Sequence, residues 1–156
     1  MSRRKRKYSK VNKLDDKYLN YNVEKLINLI MVSGKKSISR KIVYLSLSLI
    51  RERYRMNPID IFEKAVLNAS PEIEIKKKKI GGSIYSIPVG ISKKRGEFIA
   101  LNWIKKFSKL RKEKSLSVSL FKEIIDTYNG VSNSINKKKE LYKLADLNRA
   151  FAHFAF

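Results

Sequence analysis

The chain has 156 residues, enough for one domain with a sizeable core and not clearly enough for two. Lysine and arginine total 36 against 14 aspartate and glutamate, a net charge of +22, yet 43% of the residues are hydrophobic, so this is a folding sequence and not a disordered tail. Self-repulsion of that size opposes compaction and calls for a polyanionic partner, nucleic acid before an anionic membrane surface; the lack of cysteine excludes a disulfide framework and a thiolate zinc site.

Residues 1–13 carry seven cations and no acid, which predicts a flexible basic arm ordered only by a polyanion. This opening, MSRRKRK, lacks the apolar segment of a secretory signal, and no apolar run approaches a membrane span. Val23, Leu26, Ile27 and Ile30 have helical spacing, and Gly34 supplies a stop. A second helix opens at Lys35, Lys36 and Ser37. Its expected buried face is Ile38, Ile42, Leu45 and Leu49, and Arg51, Arg53 and Arg55 close it against the helix dipole. Asn57-Pro58 reads as N-cap and first helical position of a third helix, with Phe62, Ala65, Val66 and Ala69 inward.

Residues 72–91 alternate with period two on both sides of Gly81-Gly82, which predicts an antiparallel hairpin. Pro88 cannot donate to a ladder, and in a two-stranded ribbon every strand is an edge. The expected base of the ribbon is Ile73, Ile75, Val89 and Ile91. Phe98, Leu101, Ile104 and Phe107 mark a fourth helix, read as extending through Arg111 and Lys112. Leu120, Phe121, Ile124, Ile125 and Tyr128 mark a fifth, with Ser117 as expected cap and Gly130 as stop. A sixth follows Lys137, Lys138 and Lys139, with Leu144, Leu147, Phe151 and Phe154 as one buried face. The fold class is therefore mainly α: a six-helix bundle with a β-hairpin between the third and fourth helices. The chain divides into an arm (1–13) and one helical domain (14–156).

Enzyme motifs are missing: no H-E-x-x-H, Walker A loop, G-x-S-x-G or G-x-G-x-x-G occurs. His153, the only histidine, lies among Phe151, Ala152 and Phe154 and reads as a packing or hydrogen-bonding residue, not a catalyst. Asp15-Asp16 is the only adjacent acidic pair, and a metal nuclease needs clustered carboxylates. The chain reads as a non-enzyme with no cofactor and no metal.

What remains is a set of basic clusters proposed to contact RNA. They are the arm (Arg3, Arg4, Lys5, Arg6, Lys7, Lys10), the second-helix start (Lys35, Lys36), and the ribbon (Lys76, Lys77, Lys78, Lys79) with Lys93, Lys94 and Arg95. Further along come Lys105, Lys109, Arg111 and Lys112, then Lys137 and Lys138, and finally Arg149. Lys35-Lys36 and Lys93–Arg95 lie at helix starts, where backbone N–H groups add to the attraction for phosphate. Tyr85 is a candidate base-stacking ring, as is Trp103 if it is not buried.

Five stretches, in order along the whole chain, carry a resemblance: LIMVSGKKS (29–37), IVY (42–44), IEIKKKKIGGSIYSIPVGI (73–91), IALNWI (99–104) and LADLNRAFAHF (144–154). They resemble small-subunit ribosomal protein seven in its bacterial and organellar form. The resemblance implies a primary binder of the 3′ major domain of small-subunit rRNA that nucleates assembly of the subunit head. It also implies a position beside the exit-site tRNA and the mRNA path, with head and platform proteins as neighbours and no membrane. The implied RNA contacts fall on Arg3–Lys7, Lys35-Lys36, Lys76–Lys79 and Lys93–Lys112. The family usually has arginine where this chain has Lys78, Lys79 and Asn102; Lys keeps the charge without the bidentate fork, and Asn102 loses the charge. The opening Met-Ser-Arg-Arg and the AFAHF ending are most similar to plastid members. Counts of 26 Lys against 10 Arg, with 18 Ile and 11 Asn, suit an A/T-rich genome. The expected compartment is the plastid stroma, with a mitochondrial ribosome or the bacterial cytoplasm as alternatives. The competing function is a free basic DNA-compacting protein.

Overall fold

In a computed structural model of the chain, residues 14–155 are described. Their order is α1 (Tyr21–Ile30), α2 (Lys36–Tyr54), α3 (Pro58–Ala69), β1 (Ile73–Ile80), β2 (Ser83–Gly90), α4 (Lys93–Leu110), α5 (Leu116–Tyr128) and α6 (Asn133–Leu147). A 3-10 segment at Arg149–Ala155 follows. The mainly α bundle with a hairpin between its third and fourth helices is the architecture that the pattern predicts. The arm lies outside the described residues.

α5 is the central helix and packs on α2, α3 and α4. Its Leu120, Phe121, Ile124 and Ile125 are buried, together with Glu123 and Thr127, so most of its circumference faces protein. Around it the core takes Val23, Leu26 and Ile27 from α1, Phe62, Ala65 and Val66 from α3, and Leu101 and Ile104 from α4. These are the residues that the 3.6-residue spacing selects.

Local chemistry sets the helix starts. Asn20 caps α1, its side-chain oxygen accepting from the N–H groups of Asn22 (2.9 Å) and Val23 (3.2 Å). Asn57 caps α3 with Pro58 at the first position, as the sequence predicts. α5 is capped by Ser115, whose Oγ accepts from Val118 N–H. The expected cap, Ser117, is instead buried inside the first turn. α4 stops at Leu110, so Arg111 and Lys112 lie beyond the helix that was expected to carry them.

Two helix faces differ from expectation. On α2 the buried stripe is Ser39, Val43, Ser46, Leu47 and Ile50, while Ile38 and Leu45 are exposed. Serine passes as a core residue here because each hydroxyl finds a carbonyl one turn back: Ser39 Oγ donates to Lys36 O and Ser46 Oγ to Val43 O. At the C-terminus, Leu144 and Leu147 are exposed and α6 ends at Leu147. Phe151 and Phe154 belong to the 3-10 segment and pack on the ribbon, so the four residues do not form one buried helix face.

β1 and β2 pair antiparallel from Ile73↔Gly90 to Ile80↔Ser83. Gly81 (φ 57°) and Gly82 (φ 89°) make the two-residue turn, and two positive φ values define the type I′ geometry that matches strand twist. Ile73, Ile75, Val89 and Ile91 are half-buried; the fully buried ribbon residue is Ile87. The base is tied down on two sides. Glu72 N–H donates to Tyr142 Oη of α6 (3.1 Å). Gly96 of α4 meets the α3–β1 connection so closely that a Cβ there would lie 2.5 Å from Pro71 O.

Candidate nucleic-acid interface

Four of the six α-helices have a capping side chain at the N-terminus, and α2 and α4 do not. These two open in Lys35-Lys36 and Lys93-Lys94-Arg95. At α2 the cap position is itself Lys35. At α4 it is Ser92, whose hydroxyl makes no capping bond. Helix N-terminal amides without a side-chain acceptor, flanked by ammonium groups, are arranged to receive phosphate oxygens.

The fold brings three of the predicted clusters together through one residue. Lys109 of α4 borders a depression with Lys35, Val32 and Ile38 of the α1–α2 region. It also borders a second one with Lys105, Lys106, Trp103 and Phe107 of α4 and Lys137 of α6. Lys109 thus links the α2 start, across a largely apolar depression, to the lysines of α4 and α6, with two half-buried aromatic rings among them. Lys106, within the implied contact range Lys93–Lys112, belongs to this α4–α6 surface. Asn102 also lines this surface, its amide donating to Phe98 O at 2.9 Å.

Other predicted contacts are engaged within the protein. Arg111 donates to Glu123 through Nε (2.8 Å) and Nη2 (2.6 Å), and to Asp126 (2.5 Å). Glu123 is fully buried and also accepts from Ser134 Oγ at 2.7 Å, so this network joins the end of α4 to α5 and α6. Despite partial burial, the two carboxylates hold the Arg111 guanidinium above its usual pKa. Lys138 donates to Asn68 O of α3 (2.8 Å), and burial pushes its ammonium below the usual lysine range. Lys36 is paired with Glu24, and Lys137 with Glu140 at 2.8 Å. Lys93 faces a depression that also holds Asp60, Glu63 and Glu97, apart from the α4–α6 surface. Lys94, Lys112 and Arg149 are exposed.

At the ribbon, Arg95 forms a forked pair with Glu74 (3.1 and 2.7 Å), whose carboxyl it holds below the ordinary range. Lys76, Lys77, Lys78 and Lys79 are all exposed. Tyr85, the candidate stacking ring, is half-buried against Phe151 and Phe154 of the same chain. Arg3, Arg4, Lys5, Arg6, Lys7 and Lys10 lie outside the described residues.

The adjacent acids are structural. Asp15 is buried and accepts from Tyr44 Oη (2.6 Å) and from the N–H groups of Lys17 and Tyr18, while Asp16 pairs with Arg40. Among the described residues no three His, Asp or Glu side chains gather to hold a metal ion, and no helix is long and apolar enough to cross a membrane.

The class the structure defines is a basic helical bundle with a lysine-rich two-stranded ribbon. Similarity to known proteins gives its family. The family of ribosomal protein S7p/S5e matches residues 2–149. A small ribosomal subunit protein uS7 from Thermodesulfovibrio yellowstonii is 41% identical over 140 residues, 90% of each chain. One from Carsonella ruddii is 44% identical over 154 residues, 99% of each chain, and one from Mycoplasmopsis agalactiae is 40% identical over 132 residues, 85% of each. The chain belongs to the S7p/S5e family.

Proposed function

We propose that the chain is a structural constituent of the small ribosomal subunit that binds the 3′ major domain of its rRNA as a primary binder. In this reading it nucleates assembly of the subunit head beside head and platform proteins. It lies near the exit-site tRNA and the mRNA path, and it catalyses no reaction. The observation that carries the RNA-binding reading is the pairing of missing caps with lysines. The two helices whose first amides lack a capping side chain are the two that open in basic clusters, and Lys109 links Lys35 to the α4–α6 surface. A rigid bundle gripping phosphate from several elements suits a structured RNA, which is recognised by shape and backbone.

Bacterial relatives spanning most of the chain support a ribosome of the bacterial cytoplasm. The plastid stroma is supported by the Met-Ser-Arg-Arg opening and the AFAHF ending. Sucrose-gradient sedimentation of the tagged chain at high salt, with binding to a transcript of the 3′ major domain, tests the function. Co-migration with small subunits and tight binding of that transcript over duplex DNA is the expected result. A free pool on DNA would support the compacting protein instead.

A further inference from the structure

The strand register divides the ribbon into two faces. Lys76 and Lys78 share one with Tyr85, Ile87 and Val89. Lys77 and Lys79 share the other with Ile84 and Ser86. Toward the turn, the 3-10 segment packs on the first face. The Tyr85 ring lies 5.1 Å from the ring of Phe151 and 5.7 Å from that of Phe154, centroid to centroid. The two phenyl rings lie nearly parallel, 6.5 Å apart. Lys78, directly opposite Tyr85, donates its ammonium to Phe154 O at 3.1 Å. The second face is open: Lys77 and Lys79 are exposed and make no ion pair among the described residues, and Ile84 is also exposed.

A two-stranded ribbon is marginally stable alone, because it buries little apolar surface until it packs on another element. Here the bundle holds its base through Glu72 and Tyr142, and the 3-10 segment grips it again at the Lys78–Tyr85 pair. The turn lies only a few residue pairs beyond that grip. We propose that Arg149–Ala155 is a brace and that Phe151 and Phe154 are positioning residues. They hold the ribbon, through Tyr85 and Lys78, so that Lys77, Lys79 and Ile84 form a preorganised edge toward RNA. This rests on the reading of the ribbon as an rRNA contact. It also assigns Tyr85 to packing, since its neighbours on that face are the two phenyl rings. Without the brace the ribbon must be ordered at the moment of binding, which weakens affinity without removing a charge.

The test uses the full chain with Phe151→Ala and Phe154→Ala together, and a transcript of the rRNA 3′ major domain. Amide hydrogen exchange should speed up from Lys76 to Ile87 while α1, α3 and α5 keep their protection. Affinity should fall about tenfold, with the slope of log K against log salt unchanged, because no cation has been lost. Phe151→Leu with Phe154→Leu, which keeps apolar bulk, should restore most of the affinity. Native affinity in the alanine variant, or unchanged ribbon exchange, overturns the brace. Lys77→Ser with Lys79→Ser, measured in parallel, separates the two claims. If it binds like wild type, the ribbon contact itself fails. If it alone loses affinity, the contact stands and the brace fails. Should the double alanine variant lose helical circular dichroism, Phe154→Ala alone gives the same readouts.

Discussion

At the corner where α4 meets α5, Arg111 is held by Glu123 and Asp126. On the ribbon, Lys77 and Lys79 stand in solvent with no acid paired to them among the described residues. The sequence offers all three as phosphate contacts, and charge alone does not distinguish them. A carboxylate within hydrogen-bond distance does. At the corner the cation's charge is already neutralised by two carboxylates of α5, one of which also accepts from Ser134 of α6. On the ribbon the repulsion between neighbouring ammonium groups is left for a partner, or for salt, to relieve.

The corner is the place to break the comparison hardest. Glu123→Ala strips a fully buried carboxylate and leaves a partly desolvated Arg111 and Ser134 without their acceptor. The expected cost is on the order of 3 kcal/mol in urea unfolding, discounted from a fully buried pair because Arg111 keeps Asp126 and some solvent. Wild-type stability in this variant would mean that the network holds nothing together.

A milder test concerns Lys138, a predicted RNA contact whose ammonium donates to Asn68 O. Lys138→Met should lower stability by about 1 kcal/mol, the net worth of one such hydrogen bond, and leave the salt dependence of RNA binding unchanged. A shallower salt slope at native stability would return Lys138 to the RNA surface.

The smallest effect lies at high pH. Burial, then the hydrogen bond and charge of Asp15, push the Tyr44 phenol up to about 12 from 10.0. A folded-state pKa above the unfolded one contributes stability that is complete below about 10 and lost as pH rises through 12. Tyr44→Phe should therefore be less stable than wild type at pH 8 by about 1 kcal/mol. In urea titrations the gap should narrow above pH 10. A gap that stays constant to pH 12 would show that the phenol does not titrate against Asp15.

Much of the fold was legible because local signals agreed with the global ones. α3 shows this best: Asn57 and Pro58 announce its start, Phe62, Ala65, Val66 and Ala69 give its inner face, and all four are buried. The ribbon was legible from its alternation and its two glycines. α2 was not, because its buried stripe contains Ser39 and Ser46 while leucine and isoleucine stand in solvent one position away. No hydropathy pattern identifies a serine that bonds its own helix and fills the core. The C-terminus failed for a related reason. Phe151 and Phe154 have the spacing to continue a helix, but the chain leaves α6 and spends those rings on the ribbon. Phe151 is only half-buried there.

The candidate surface divides along the same line. Lysine-rich helix starts are visible in one dimension, and so is the ribbon. Which cations are engaged depends on partners that folding supplies: Glu74 pairs with Arg95, Glu123 with Arg111, and the Asn68 carbonyl accepts from Lys138. Convergence on Lys109 is likewise a product of packing, joining segments from three parts of the chain.

The central claim is that exposed cations such as Lys77 and Lys79, with no partner among the described residues, bind RNA, whereas those held by a carboxylate or a backbone carbonyl, such as Arg111 and Lys138, hold the fold. The most direct measurement is the salt dependence of binding to the rRNA 3′ major domain for two variants. The account predicts that Lys77→Ser with Lys79→Ser flattens log K against log salt by roughly 0.7–0.9 per lost contact, with thermal stability unchanged. Arg111→Met should keep the wild-type slope and lose stability. A native slope in the lysine variant together with a flattened slope in Arg111→Met would contradict the account.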